Sequence, residues 1–109
     1  MYDKVKEITC QKLKKKIDKQ DSFVLLDVRE PEEYEMCHID GSILVPLSEI
    51  EDHVDELDKD KHYVIYCKMG GRSMKACVLF QEKGFKKVQN LSGGIWQWAL
   101  DVDSRMEMY

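Results

Sequence analysis

Cys67, Lys68, Met69, Gly70, Gly71, Arg72 and Ser73 follow directly on an apolar run, Tyr63-Val64-Ile65-Tyr66. A buried strand that ends on a cysteine, passes through two glycines and enters a helix builds an anion-binding cup. Glycines accept conformations that other residues resist, so successive backbone N–H groups can turn inward. A helix starting near Arg72 adds its own unpaired N–H groups and the positive end of its dipole. A thiol at the bottom of such a cup ionises more readily than a free cysteine, whose pKa is about 8.5. Such a group is a nucleophile, or a carrier of negatively charged sulfur.

The elements around the loop alternate. Val5 to Ile8 reads as a polar edge strand, and Thr9 then caps a helix that turns Cys10, Leu13 and Ile17 inward. Phe23 to Val28 is a continuous apolar strand of the kind buried on both faces, with Asp27 within it and Arg29 just after. Pro31-Glu32-Glu33-Tyr34 forms a helical turn with proline at a tolerated early position. Ile43-Leu44-Val45 is a third strand, ended by Pro46. A helix beginning near Ser48 then sets Leu47, Ile50, Val54 and Leu57 on one face. Tyr63 to Tyr66 delivers Cys67, and Ser73 to Lys83 is the helix that follows, stopped by Gly84. Lys87 to Leu91 makes a last strand. Gly93-Gly94 leads into a helix with Ile95, Trp96, Trp98 and Ala99. Five strands alternating with helices predict an α/β domain over residues 1–109. Its sheet is mostly parallel with helices on both faces, and its ligands bind beyond the carboxyl ends of the strands.

Composition narrows the chemistry. A net charge of −4 argues against nucleic acid as the main partner. No stretch reaches the roughly 18 apolar residues that cross a bilayer. Met1-Tyr2-Asp3-Lys4 has no apolar run behind it, so a cytoplasmic location is expected. Cys10, Cys37, Cys67 and Cys77 contain no C-x-x-C pair, which predicts neither a zinc site nor another metal centre. In a reducing compartment a disulfide framework is not expected either. The Lys12, Lys14, Lys15 and Lys16 cluster reads as a solvated helix face.

The motifs, taken in order, resemble those of the rhodanese-like sulfurtransferases. The loop pattern C-x-x-G-x-R-[ST] is met by Cys67, Gly70, Arg72 and Ser73. Leu26-Asp27-Val28-Arg29-Glu30 with Glu33-Tyr34 is similar to the family's L-D-V-R-x-x-x-E-[YF] element. Cys37-His38-Ile39-Asp40-Gly41-Ser42 stands where the family has G-H-I-P-G-A, with Cys37 for glycine and Asp40 for proline. Asn90-Leu91, Gly93-Gly94-Ile95 and Trp98 resemble the final strand-to-helix turn. The run from Trp98 to Tyr109 is weakly similar to rhodanese domains fused to molybdopterin-synthase-type adenylyltransferases.

The resemblance implies a sulfurtransferase without a cofactor. Cys67 would take the outer sulfur of a small donor, such as thiosulfate or a protein persulfide, and hold it as its own persulfide. A thiophilic acceptor would then remove it, with a sulfur-carrier or desulfurase protein as the candidate macromolecular partner. Lys68, Met69, Gly70, Gly71, Arg72 and Ser73 would surround the bound sulfur. Arg72 either steers an anionic donor or braces the loop, and Ser73 either hydrogen-bonds the sulfur or caps the helix. Asp27 and Arg29 are expected as an orienting ion pair. Cys37 is a candidate resolving thiol, whereas Cys10 and Cys77 read as core residues.

Two other readings compete. Cysteine phosphatases and arsenate reductases of this fold hold a tetrahedral oxyanion in a C-x5-R loop, but Cys67 to Arg72 is C-x4-R. The smaller cup suits one sulfur better than a phosphate. A non-catalytic binding module is the third reading, and the retained Cys67 and its glycines argue against it.

Overall fold

The computed structural model describes residues 5–107; the N-terminal Met1 to Lys4 and the tail residues Met108 and Tyr109 lie outside them. The strands are β1 (Lys6–Ile8), β2 (Val24–Asp27), β3 (Ile43–Leu44), β4 (His62–Tyr66) and β5 (Lys87–Leu91). Between and after them run α1 (Cys10–Asp18), α2 (Pro31–Met36), α3 (Ile50–His53), α4 (Gly71–Glu82) and α5 (Gly94–Asp101). The sheet order is β1-β5-β4-β2-β3, and every pairing is parallel. Right-handed crossovers that first move outward along the sheet and then return put helices on both faces.

Alternation along β4 shows how the two layers arise. Tyr63 and Ile65, with Cys67 just past the strand, pack with Ile50, Val54, Ala76, Cys77 and Phe80 from α3, α4 and the turn between. Val64 and Tyr66 point the other way, onto Leu13 of α1 and Ile95 and Trp98 of α5. Both faces of the central strand are therefore closed to water. Thr9 caps α1 by accepting from the Lys12 N–H at 3.2 Å.

One expected element is weaker than its pattern. The helix after Pro46 breaks into a 3-10 turn (Leu47–Glu49), one α turn (Ile50–His53) and a second 3-10 turn (Val54–Glu56). Ile50 and Val54 are buried as the spacing requires, but Glu49, Glu51, Asp52, Asp55 and Glu56 crowd five carboxylates onto this segment. Leu47 and Leu57 pack on the same core only partly buried, and like-charge neighbours and poor helix formers break the helix between them.

At the carboxyl edge of β2, Asp27 and Arg29 are both fully buried. Arg29 Nη2 and Nε reach the Asp27 carboxylate at 2.7–3.1 Å, and Nη2 also donates to the Cys37 carbonyl at 2.7 Å. The guanidinium lies 5.7 Å from the centre of the Tyr66 ring. This pair ties the end of β2 to the loop after α2. Removing one member of a buried pair strands the other charge, which typically costs about 3–5 kcal/mol. Arg29→Ala is therefore expected to lower unfolding free energy by about that amount, read by urea denaturation followed by circular dichroism. A loss under ~1 kcal/mol would show that the pair does not hold these loops.

Candidate active site

β4 ends one residue before Cys67, and α4 begins at Gly71, so the chain reverses within three residues. Gly70 makes that possible with φ +114°, a left-handed conformation that side-chain-bearing residues rarely adopt. The reversal wraps backbone donors around the sulfur. Cys67 Sγ accepts from the Gly70 N–H at 3.1 Å and the Ser73 N–H at 3.3 Å, and lies 3.3 Å from Ser73 Oγ. The Met69 N–H also points at it.

Burial pushes the Cys67 thiol up, but hydrogen bonds from Ser73, Gly70 and Met69 outweigh it and hold the thiol below its ordinary range. The other core cysteines show the opposite balance. Burial pushes Cys77 up to about 12, helped by the nearby charges of Cys67 and Glu7. Cys10 rises to about 11 through burial and the Asp101 carboxylate. Only where N–H groups converge does a buried sulfur become a better anion.

One of these donors points inward because the carbonyl of its own peptide is held outside, next to a second held carbonyl. The first N–H groups of α5 do this: Ile95 N donates to the Cys67 carbonyl at 2.9 Å and Trp96 N to the Lys68 carbonyl at 3.0 Å. In a trans peptide the N–H faces opposite the carbonyl, so fixing the Lys68 oxygen aims the Met69 N–H at the sulfur. The approach requires glycine at position 94. A Cβ there would overlap the carbonyls of Cys67 and Lys68, and φ is already +60°.

Arg72 forks onto Glu33 of α2, with Nη1 to Oε1 at 2.7 Å and Nη2 to Oε2 at 3.0 Å. Of the two roles weighed for Arg72, this contact is the bracing one. Lys68 lies 5.8 Å from the centre of the Trp96 ring, and Met69 is 65% exposed at the rim. Trp98 is buried in the core.

Residues outside the loop sort clearly. Cys37 packs into the cluster on the α1/α5 face, across the sheet from Cys67. His38 stacks on Tyr34 at 3.9 Å with Nδ1 2.9 Å from the Tyr34 carbonyl oxygen, and it lines a separate cleft with Ile17, Trp98 and Met106. Among the described residues no group of three or more His, Cys, Asp or Glu side chains is placed to hold a metal ion. Among the same residues, no helix is long and apolar enough to cross a membrane.

Asn90, which the sequence motifs placed only in the final strand-to-helix turn, also reaches the Cys67 loop. Its Nδ2 reaches the Gly70 carbonyl at 3.2 Å and its Oδ1 lies 2.5 Å from Ser73 Oγ. The available signal was an asparagine inside a strand, where that residue is usually depleted.

Residues 9–101 match the family model described as Rhodanese-like domain. The chain belongs to this family. YrkF of Bacillus subtilis, which bears the name of a sulfur carrier protein, is 40% identical over 95 residues, covering 87% of this chain and 51% of that one. The chain thus spans about half that relative's length. A sulfurtransferase of Allochromatium vinosum is 35% identical over 95 residues, 87% of this chain and 89% of its own. The rhodanese-like domain protein of Staphylococcus aureus superposes with a TM-score of 0.83 at 30% identity, covering 96% of this chain and 99% of that chain. The five-stranded parallel sheet described above is the rhodanese-like fold.

Two outcomes test the geometry. Gly94→Ala is expected to destabilise by more than about 2 kcal/mol and to slow alkylation of Cys67, since the loop must shift to admit the methyl group. With the thiol held low, iodoacetamide should modify Cys67 at pH values where free cysteine is still protonated. Cys10 and Cys77 should react only on unfolding. Peptide mass mapping across pH reads both, and equal reactivity of all three sulfurs in the folded chain would contradict the assignment.

Proposed function

We propose that this rhodanese-like chain transfers sulfane sulfur through a persulfide on Cys67. The observation that carries the proposal is the convergence of the Met69, Gly70 and Ser73 N–H groups on one buried sulfur. They lower the cost of the thiolate that attacks the donor. They are also in place to receive the terminal sulfur of the persulfide, which is itself anionic.

Loading proceeds by attack of the Cys67 thiolate on the outer sulfur of the donor. The donor's bond to that sulfur breaks and the donor leaves with the electron pair. Discharge reverses the roles: a thiophilic acceptor attacks the terminal sulfur and the pair returns to Cys67. A cyanide ion, a thiol or the activated terminus of a carrier protein all fit this step. Thiosulfate and protein persulfides are both suitable donors, because Lys68 at the rim favours negative charge. Cysteine-based phosphate chemistry fits less well. Four residues between Cys67 and Arg72 make a cup one residue shorter than the C-x5-R loop, and Arg72 is forked onto Glu33.

Incubation with thiosulfate should add the mass of one sulfur atom to the intact protein, removable by cyanide and absent from Cys67→Ser. Wild-type protein that gains no mass from thiosulfate, glutathione persulfide or a desulfurase-bound persulfide would overturn the reading.

A further inference from the structure

The Ser73 hydroxyl has one proton and two claimants. Its oxygen lies 3.3 Å from Cys67 Sγ and 2.5 Å from Asn90 Oδ1. The orientation of the Asn90 amide decides which one holds the proton. Asn90 Nδ2 reaches the Gly70 carbonyl at 3.2 Å and Glu7 Oε1 at 3.3 Å, and both are acceptors. Turning the amide over would set its oxygen against two acceptor oxygens, so Oδ1 must face Ser73. Oδ1 only accepts. Ser73 therefore donates to Asn90 and presents a lone pair to the sulfur.

That arrangement suits a neutral thiol, whose S–H donates to Ser73 Oγ. A thiolate in the same place would face an oxygen lone pair, and it gains a donor only if the hydroxyl rotates away from Asn90. We propose that Asn90 is a positioning residue for chemistry at Cys67: it holds the Ser73 proton while Sγ is uncharged and yields it when Sγ becomes an anion. The competition belongs to the free thiol, and only its place in the cycle rests on the sulfur-transfer reading.

In that cycle the hydroxyl turns twice. During loading the electron pair of the thiolate goes into the new S–S bond, Sγ loses its charge, and the proton returns to Asn90. During discharge the acceptor supplies a pair to the terminal sulfur and the S–S bond breaks. Its electrons return to Sγ, and the Ser73 O–H rotates to meet them. A hydrogen bond to an anion is roughly twice as strong as a neutral one, so the rotation is favourable only in the charged state. The charged and titratable groups of the loop and of the elements packed on it are Glu7 on β1, Cys77 and Arg72 on α4, Lys68 in the loop, and Glu33 on α2. Of these, Glu7 touches the relay, through Asn90 Nδ2.

A double-mutant cycle tests the proposal on unloaded protein, with the Cys67 pKa read from the pH dependence of its alkylation by iodoacetamide and peptide mass mapping. Asn90→Leu frees the hydroxyl for the sulfur and should lower the pKa by about half to one unit, a three- to tenfold gain in thiolate at a pH below it. Asn90→Asp, a stronger acceptor, should raise it. In a Ser73→Ala background, which itself raises the pKa, Asn90→Leu should lose this effect. Equal shifts in both backgrounds would show that Asn90 acts on the fold and not on the proton. Should Asn90→Leu fail to fold, wild-type protein still decides. The Asn90 side-chain amide resonances should titrate with the Cys67 midpoint and stay fixed in Cys67→Ser. Amide signals that ignore Cys67 ionisation overturn the proposal. Because neither readout needs a sulfur donor, failure of this inference and failure of the transferase reading are separable.

Discussion

The direction of two peptide planes anchors this loop to the rest of the fold. The carbonyls of Cys67 and Lys68 could face the sulfur or face away, and a cup lined by oxygen would repel a thiolate at Cys67. The first turn of α5 settles the matter by offering both carbonyls the N–H groups that a helix start leaves unpaired. A feature often met as an anion site is used here one step removed, on the anion's support. Gly94 follows from this use, since the helix must begin almost in contact with the loop backbone. The sheet serves the same end: β4 and β5 lie side by side and parallel, so their carboxyl ends bring Cys67 and Gly94 together.

Two ion pairs hold the periphery, and burial distinguishes their roles. Asp27 and Arg29 are sealed from water and shared with a backbone carbonyl and an aromatic face, so the pair acts as internal scaffolding for the loops after β2 and α2. Arg72 and Glu33 meet at the surface, where such pairs are individually weak. The two-pronged geometry matters more than its energy. It points the guanidinium at α2 and ties the start of α4 to that neighbouring helix, so the loop is braced from one side by α5 and from the other by α2.

Much of this was legible from sequence because it depends on local chemistry. A continuous apolar strand, a cysteine, two glycines and a following helix can be read in order, and the alternation of strands and helices fixes a parallel sheet. The segment from Leu47 to Glu56 departs from expectation because the apolar spacing was right while the carboxylates between those positions weaken the helix. Cys37 sits next to a family motif, yet the turn after α2 carries it to the opposite face from Cys67, which only the fold reveals. Asn90 and Glu33 were visible as letters, but their partners lie 17 and 39 positions away and depend on register.

The cysteines show why burial alone does not make a thiol inert. Cys67 and Cys77 share one core, and both are shielded from water. Cys77 sits on the sheet-facing side of α4, where the helix has already spent its backbone donors on its own carbonyls. Cys67 sits where the chain has just left a strand and not yet closed its first helical turn, so three N–H groups remain to be satisfied. The sulfur satisfies them. Desolvation opposes the anion, but in a dry cup each hydrogen bond to it is worth more than in water, and together the bonds outweigh that cost. The hydrogen-bonded sulfur of this fold is thus a consequence of where a parallel sheet ends and a helix begins.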